Sequence, residues 1–256
     1  MNLLVFDIET IPDTDSARKM HSLEGLTDAE VAESMFAQRR QQTGGSDFLR
    51  HHLQKVVAIS TVLRTSDKLS VWSLGDVGSP EEDIIQRFFD GIDRYTPMLV
   101  SWNGSGFDLP VLHYRALLHG INASRYWETG GDDQSFKWNN YISRFHERHT
   151  DLMDVIAGYN PRANAPLTEI ASMLGFPGKM GMDGSKVWDN YLEGNIEGIR
   201  NYCEADVLNT YLVFLRYELM RGLKSMTAYE TECERVRDML QEDGYPHLLE
   251  FLSAWN

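Results

Sequence analysis

The first candidate for chemistry in this chain is Asp7-Ile8-Glu9, two acids around one isoleucine at the end of a short apolar run. Side chains of a β-strand alternate between its faces, so this spacing predicts that Asp7 and Glu9 project from the same face. Two carboxylates in one small volume repel each other, and a divalent cation with oxygen ligands would relieve that repulsion. The alternative interpretation is the solvated end of an edge strand, and these residues alone favour neither.

A second acid follows a strand predicted over residues 98–102. The chain turns through residues 103–106, which contain two glycines, and reaches Phe107 and Asp108 at the start of a predicted helix. Glycines permit a tight reversal, and open α/β sheets form their crevices beyond the carboxyl ends of such strands. Asp108 is therefore a candidate for a crevice site, although capping of its own helix explains the aspartate at least as well.

A third acid lies on a long helix predicted over residues 196–220. Tyr202 and Asp206 are four residues apart, which places them on one face of this helix. At about 100° per residue, the predicted buried arc contains Ile196, Ile199, Cys203, Val207, Thr210 and Phe214. Tyr202 and Asp206 lie along the edge of that arc, where an acid needs a partner. A core tyrosine beside a solvated aspartate is the equally good alternative.

The ordered combination of these stretches resembles the three exonuclease motifs of the DEDD superfamily, in its tyrosine-bearing subclass. The motifs are Asp-x-Glu on a first strand, Asn-x-x-x-Phe-Asp after a middle strand and Tyr-x-x-x-Asp on a late helix. The arrangement is similar to the stand-alone predicted 3′–5′ exonucleases related to the proofreading domain of family B DNA polymerases. The resemblance runs from Phe6 to about Tyr211, and the segment beyond Met220 carries none of the motifs.

The resemblance implies a ribonuclease H-like α/β fold, a five-stranded mixed sheet flanked by helices. It implies four metal ligands, Asp7, Glu9, Asp108 and Asp206, with Tyr202 positioning the attacking water. It also implies substrate contacts by Asn103, Phe107 and Thr10. His149 and Asp151 resemble a His-x-Asp element of polymerase-type exonuclease domains, but a salt bridge or cap at a strand end explains them equally well.

The function implied is hydrolysis of single-stranded nucleic acid, DNA more than RNA, from the 3′ end to nucleoside 5′-monophosphates. Two Mg²⁺ or Mn²⁺ ions would activate a water and stabilise the leaving 3′ oxygen. Tyr202 would orient the water, since a tyrosine near its reference pKa of about 10 is a poor base. A protein partner is left open.

Binding of an unpaired 3′ end requires stacking surfaces and positive charge. The aromatic candidates are Phe107, Trp102, Tyr126, Trp127, Phe136 and Trp138. Lys179 and Lys186, in a glycine-rich loop, are the candidates for contacting backbone phosphates. The alternative interpretations are core packing for the aromatic residues and ordinary solvated loop positions for the lysines.

Periodicity predicts the elements that must position these residues. An antiparallel hairpin is predicted from strands at 55–63 and 69–74, followed by a helix to about residue 95 and the strand at 98–102. A last short strand or helix start is predicted at 149–155. Further helices are predicted at 28–42, 48–54, 167–176, 196–220, 226–242 and 246–255. This order predicts one domain over residues 1–256, with a polar, partly helical insertion at about 14–53 and a helical tail from about 221.

Composition narrows the function classes. The 256 residues carry a net charge of −14, which argues against a broad grip on duplex nucleic acid but permits a local, metal-assisted site. The two cysteines, Cys203 and Cys233, form no metal-binding pattern, and we expect a reducing cytoplasm. Neither an export signal nor a membrane-spanning segment is expected, so a membrane partner is not predicted.

Two other classes are compatible with parts of the sequence. Haloacid-dehalogenase-like phosphatases use Asp-x-Asp-x-Thr at the end of a first strand, but here the second acid is Glu9 and the expected late acidic pair is not evident. A catalytically weak, nuclease-like module that binds nucleic acid or a partner is the second alternative. Such modules usually lose a metal ligand, whereas this chain retains all four acids and the tyrosine.

Overall fold

The computed structural model describes residues 2–255, which are arranged around a five-stranded sheet. In chain order the strands are β1 (Leu3–Pro12), β2 (Gln54–Arg64), β3 (Leu69–Ser73), β4 (Met98–Ser101) and β5 (His149–Asp151). They lie in the order β3-β2-β1-β4-β5. β2 is antiparallel to β1 and β3, whereas β4 is parallel to β1 and β5. The prediction of a mixed five-stranded α/β sheet is therefore confirmed.

β1 is the central strand, so the interpretation of Asp7 and Glu9 as the end of an edge strand is wrong. Its pairing with β2 runs from Leu3 to Pro12, but its pairing with β4 stops at Val5. β1 therefore extends past β4. On the β4 side, the carboxyl half of β1 has no neighbouring strand, and the residues that follow β4 can approach it there.

Helices cover both faces of the sheet. They are α1 (Thr14–His21), α2 (Asp28–Thr43), α3 (Glu81–Tyr95), α4 (Asp108–His119), α5 (Leu152–Ile156), α6 (Leu167–Met173), α7 (Val187–Leu192), α8 (Ile196–Met220), α9 (Met226–Asp243) and α10 (Pro246–Ala254). Short 3₁₀ turns occur at His51–Leu53, Gln134–Phe136, Pro161–Ala163 and Gly184–Lys186. Among the helices of residues 2–255, none is both long and apolar enough to cross a membrane.

The two faces of the sheet have separate cores, and the alternation along β1 divides its side chains between them. One face packs against α3 and α4 through Leu4, Phe6 and Ile8. The other packs against α8 and the helices after it through Leu3 and Val5. The same alternation directs Asp7 and Glu9 to the α8 face of the sheet.

The excursion between β1 and β2, residues 14–53, folds around a small core of its own. α2 begins with the predicted capping box, in which Thr27 and Glu30 each accept a hydrogen bond from the other's backbone amide. The helix predicted over residues 48–54 is wrong, because only His51–Leu53 form a 3₁₀ turn. Leu49 is drawn into the small core and Gln54 already pairs with Pro12 in the sheet, which leaves no room for a longer helix.

The helices after residue 220 belong to the main core. Side chains of α9 and α10, among them Val236, Leu240 and Phe251, pack with those of α8 in one cluster. Arg64 of β2 donates two hydrogen bonds, of 3.0 and 2.8 Å, to the carboxylate of Glu232 on α9. Because these helices cover α8 from outside, its buried surface is wider than the single arc that the sequence predicts.

A buried ionic network joins the excursion to the sheet and to two helices. Arg115 of α4 donates to Asp13, which caps α1, and to both carboxylate oxygens of Glu81 at 2.7 and 2.5 Å. Glu81, at the start of α3, also accepts a hydrogen bond of 2.6 Å from the backbone amide of Val56 in β2. His119 lies 2.8 Å from the same carboxylate. The network therefore fixes the end of β1 relative to α4.

Candidate active site

Asp7 and Glu9 lie where β1 has left its pairing with β4. The register with β2 shifts between Glu9 and Thr10, because Val57 is an extra residue on β2 at this point. Such a bulge bends the strand and redirects the side chains beside it. Asp7, Glu9 and Cys203 of α8 can each place one potential ligand atom within 4.8 Å of the others.

Asp108 follows the turn after β4 and lies outside the group of Asp7, Glu9 and Cys203, but its charge raises the pKa of Asp7 and Glu9. Asn103 adopts a left-handed conformation (φ 63°), and a Cβ at Gly104 would overlap the Ser101 hydroxyl, so this glycine is required by close packing. The turn then delivers Asp108 to the first position of α4, where it is 3% exposed. Phe107, the N-cap residue of α4, forms no side-chain cap hydrogen bond, and the charge of the buried Asp108 raises the pKa of Asp7 in β1.

The His149–Asp151 strand braces this turn. The two carboxylate oxygens of Asp151 accept hydrogen bonds of 2.9 Å from the backbone amides of Asn103 and Ser105. Nε2 of His149 lies 2.8 Å from the Ser101 hydroxyl, and burial lowers the pKa of His149 to about 4, so its ring is neutral. Both side chains are therefore placed to hold the turn that carries Asp108.

Asp206 arrives from the opposite side, on α8. This helix crosses the sheet on the face to which Asp7 and Glu9 point, and the carboxylate of Asp206 is close enough to raise the pKa of both. Asp206 is the partly exposed position in an otherwise buried run from Cys203 to Leu215. It is therefore accessible to solvent, unlike its neighbours in this run.

The four carboxylates are linked electrostatically through Asp7 and Glu9, whose pKa values are raised by the charges of Asp108 and Asp206, whereas the neighbouring charge that raises the pKa of Asp108 is that of Asp151. Burial is the main cause that raises the pKa of each, to about 7 for Asp108 and about 6 for Asp206, and well above the ordinary value for Asp7 and Glu9. Repulsion among the four adds to the rise for Asp7 and Glu9. Within residues 2–255, no Lys, Arg or His side chain offsets this repulsion at any of the four. The arrangement lacks a positive charge.

The donor set fits hard divalent cations. Oxygen ligands from carboxylates are those that Mg²⁺ and Mn²⁺ prefer, and buried acids without a cationic side chain are costly unless an ion neutralises them. Cys203 does not change this conclusion. Burial and the neighbouring acids raise the pKa of its thiol, so it remains protonated, and its Sγ lies 3.4 Å from the carbonyl oxygen of Asp7 as a weak donor.

Tyr202 lies one turn before Asp206 on α8, at the edge of the acid cluster. Burial and the charges of Asp206, Glu9 and Asp7 raise the pKa of its hydroxyl above its ordinary value. Among the neighbouring charges, that of Asp206 contributes most to this rise. The phenol therefore keeps its proton and is available as a hydrogen-bond donor beside the cluster.

The three residues expected to contact substrate belong to the same two segments as Glu9 and Asp108. Asn103 and Phe107 belong to the turn that carries Asp108, and both are partly buried. The ring of Phe107 contacts Phe48 of the excursion, with 5.4 Å between centroids. The hydroxyl of Thr10, which follows Glu9, donates a hydrogen bond of 3.0 Å to Gln54.

The other stacking and phosphate candidates separate into core, paired and exposed residues. Tyr126 and Phe136 are buried, and Trp102 packs against the core, so core packing accounts for these three. Trp127 and Trp138 are exposed, at 50% and 80%. The two lysines are each engaged by an acid: Lys179 lies 2.9 Å from Asp183 and Lys186 lies 3.2 Å from Asp189.

Sequence reasoning missed two residues at this site. Cys203 was assigned only to the buried arc of α8, although the helical spacing that places it beside Tyr202 could have indicated its contact with the acids. Phe48 lay in a segment predicted as helix, and no local pattern connects it with Phe107, which is far away in sequence. Only the folded excursion brings those two rings together.

A five-stranded mixed sheet with helices on both faces, and with acids gathered at the end of its central strand, defines a ribonuclease H-like fold. The chain belongs to the family of predicted 3′–5′ exonucleases related to the exonuclease domain of PolB, whose family model matches residues 46–255. The matched range contains Asp108, Tyr202 and Asp206, whereas Asp7 and Glu9 precede it.

A solved structure with the same fold is that of the family B DNA polymerase from the hyperthermophilic archaeon Pyrobaculum calidifontis. The two chains are 18% identical and superpose with a TM-score of 0.50. The match covers 86% of this chain but 24% of the polymerase, so this chain corresponds to about a quarter of that protein. Among curated proteins, none matches this chain.

Proposed function

We propose that this chain is a metal-dependent 3′–5′ exonuclease of the tyrosine-bearing DEDD subclass. It hydrolyses single-stranded nucleic acid, DNA in preference to RNA, from the 3′ end and releases nucleoside 5′-monophosphates. Residues 1–256 act as one exonuclease domain. The observation that carries the proposal is the cluster of four carboxylates, from β1, α4 and α8, with no cationic side chain to neutralise it.

In this proposal Asp7, Glu9, Asp108 and Asp206 hold two divalent ions. When bound, Mg²⁺ or Mn²⁺ supplies an activated water and stabilisation of the leaving 3′ oxygen. The origin of the four side chains in three elements, β1, α4 and α8, supports a site that is formed before substrate arrives. This preorganisation is what gives electrostatic catalysis most of its effect.

Tyr202 positions the attacking water in this scheme. Its raised pKa keeps the hydroxyl protonated, so it acts as a hydrogen-bond donor and does not remove a proton. Its place one turn before Asp206 on α8 supports this role. In this scheme the terminal nucleotide is contacted by Asn103, Phe107 and Thr10.

The test is an assay with 5′-labelled single-stranded DNA and RNA in the presence of Mg²⁺, Mn²⁺ or EDTA. We expect a ladder of shortened products with either metal and none with EDTA, together with release of nucleoside 5′-monophosphates. Binding without shortening would instead indicate a nucleic-acid-binding module. Phosphate release from small monoesters without a ladder would indicate a phosphatase, and either result contradicts the proposal.

Two variants make the assay specific to the acid cluster. Asp7→Asn and Asp206→Asn each remove one carboxylate, and each should reduce shortening by roughly 100-fold or more, because several kcal/mol of metal-assisted stabilisation is lost. Asp67→Asn, in the exposed turn between β2 and β3, is the matched control and should retain full activity. Wild-type activity in either cluster variant would refute the role of that residue.

A further inference from the structure

An exposed aromatic side chain of the excursion contacts the turn that carries Asp108. The ring of Phe48 is 56% exposed, although phenylalanine is normally buried. Its ring centroid is 5.4 Å from that of Phe107, the residue immediately before Asp108. His51 contacts Phe107 from the same short segment, at 5.8 Å. Three rings therefore form a continuous aromatic surface that begins next to a cluster acid.

Phe48 is held in place by its backbone. Its carbonyl oxygen accepts a hydrogen bond of 2.8 Å from Nε of Arg39 on α2. The next residue, Leu49, is 3% exposed within the small core of the excursion, and its carbonyl accepts a hydrogen bond from Gln54. Gln54 in turn accepts the hydroxyl of Thr10, the residue after Glu9. A chain of contacts thus fixes the segment that carries Phe48 to the end of β1.

The ring of Phe48 contributes little to the core of the excursion. That core is formed by Ala17, Val31, Met35 and Leu49, with Leu23, Phe36 and Leu53 packed against it, and Phe48 is outside it. A rigidly held ring that is exposed and continuous with Phe107 has the properties of a stacking platform. Nucleobases stack on such rings irrespective of their sequence, and an unpaired 3′ end is the ligand that the acid cluster requires nearby.

We propose that Phe48 is a substrate-positioning and specificity-determining residue, whose ring stacks on the base of the 3′-terminal nucleotide with Phe107 behind it. This inference rests on the proposed exonuclease function. It assigns a role to the excursion, which builds one wall of the substrate site. It also favours unpaired ends, because a base inside a duplex does not offer its face to the ring.

Stacking can be measured without catalysis. The probe is a single-stranded DNA oligonucleotide with 2-aminopurine at its 3′ end, whose fluorescence is quenched when the base stacks. With the wild-type protein in Ca²⁺ or in EDTA, we expect quenching of the terminal probe. Phe48→Ala should lose most of this quenching and Phe48→Trp should keep it. Tyr245→Ala, which changes an exposed aromatic residue immediately before α10, should behave like the wild type. Equal quenching by Phe48→Ala and wild type would overturn the inference.

Kinetics give a second, independent readout. For a natural single strand in Mg²⁺, Phe48→Ala should raise KM roughly tenfold, the size of one base–aromatic stack, with a smaller effect on kcat. The wild type should discriminate against a strand whose last nucleotide is abasic, and Phe48→Ala should lose that discrimination. An unchanged KM together with retained discrimination would contradict the role of Phe48.

The two proposals fail in different ways. If the wild type never shortens a strand with any metal, the exonuclease proposal fails, and the quenching experiment still decides the role of Phe48. If the wild type shortens strands but Phe48→Ala matches it in both readouts, only the stacking inference fails. Thermal melting of each variant serves as the control for folding, and we expect Phe48→Ala to melt close to the wild-type temperature because its ring is largely exposed.

Discussion

At the scale of single residues, the acid cluster combines repulsion with burial. Glu9 and Asp108 are 8% and 3% exposed, and their pKa values are raised mainly by burial. A structure retains such an arrangement at a cost in stability, and strain of this kind concentrates at functional sites. Adding the compensating ions or removing one acid should therefore change the stability of the folded protein.

Divalent ions should stabilise the folded protein. We expect Mg²⁺ or Mn²⁺ to raise the melting temperature relative to EDTA, because ions that bind the folded state alone shift the unfolding equilibrium. In EDTA, Asp7→Asn should melt at or above the wild-type temperature, since it removes one of the repelling charges. Metal should raise the melting temperature of this variant less than that of the wild type. Differential scanning fluorimetry measures both effects. Identical metal-induced shifts in the wild type and the variant would contradict the placement of Asp7.

Removal of the Tyr202 hydroxyl should affect the chemical step. Tyr202→Phe keeps the aromatic ring on α8 but removes the hydroxyl. Because the attacking water would then be less well positioned, we expect kcat to fall by about 100-fold with KM nearly unchanged. Single-turnover kinetics on labelled single-stranded DNA measure the change. Loss of activity through a raised KM alone would place Tyr202 in substrate binding instead.

At the scale of elements, the sequence predicts strands and long helices well, because hydrophobic periodicity reports directly on which face is buried. α8 has the predicted limits, Ile196–Met220, and β2, β3 and β4 lie within one residue of their predicted limits. The stretch 149–155, predicted as a short strand or a helix start, forms both β5 and α5. Short elements without a periodic pattern escape prediction: α1 and α7 were not predicted, and α6 ends at Met173 because Gly175 adopts a left-handed conformation. Contacts between distant elements escape it too, as the ring pair of Phe48 and Phe107 shows.

The candidate site was predictable to the extent that residue type and local spacing determine it. The Asp-x-Glu spacing on a strand places two acids on one face, and the Tyr-x-x-x-Asp spacing on a helix places two side chains side by side. Whether these two pairs and Asp108 come near one another depends on the order of the strands and on the path of α8 across the sheet. Local residue spacing does not determine either feature. The motif resemblance supplied that step.

The Arg115 network should govern how firmly α4 is fixed to the sheet. Arg115→Met leaves the buried carboxylates of Asp13 and Glu81 without their cation, and we expect a loss of roughly 3–5 kcal/mol in the free energy of unfolding. Urea denaturation monitored by circular dichroism measures this loss. Arg87→Met, which removes an exposed ion pair with Asp83, is the matched control and should cost less than about 1 kcal/mol.

The same network predicts a pH dependence of stability. Burial alone would raise the pKa of Asp13, but hydrogen bonds from Ser16 and Arg115 outweigh it and lower the pKa below the ordinary value of 3.8. A lowered pKa in the folded state contributes stability above the unfolded pKa, and this contribution disappears as the pH falls through the folded pKa. The difference in unfolding free energy between wild type and Arg115→Met should therefore shrink below about pH 4. A constant difference down to pH 2 would contradict the ion pairing.

At the scale of the whole molecule, the net charge of −14 limits how nucleic acid can bind. Because a net negative charge repels phosphates, affinity should come from metal at the acid cluster and from stacking of bases on aromatic side chains. This combination selects for unpaired ends and against long duplex.

Competition experiments should reveal this selectivity. In Ca²⁺, an unlabelled single strand should displace a labelled one. Blunt duplex DNA of equal length should compete at least tenfold less well, because its base faces are buried in the duplex and the acidic protein gives its phosphates little other attraction. Fluorescence anisotropy at constant ionic strength measures both. Equal competition would show that a surface other than the acid cluster binds the phosphate backbone.

The packing of α9 and α10 against α8 has a practical consequence for anyone who shortens the chain. All three motifs end before residue 220, so a fragment cut there would still encode every proposed ligand. It would nevertheless expose the outer side of α8, including Tyr211 and Leu215, and would remove the carboxylate that pairs with Arg64. We expect such a fragment to aggregate on expression, with its active-site residues present in sequence but never assembled.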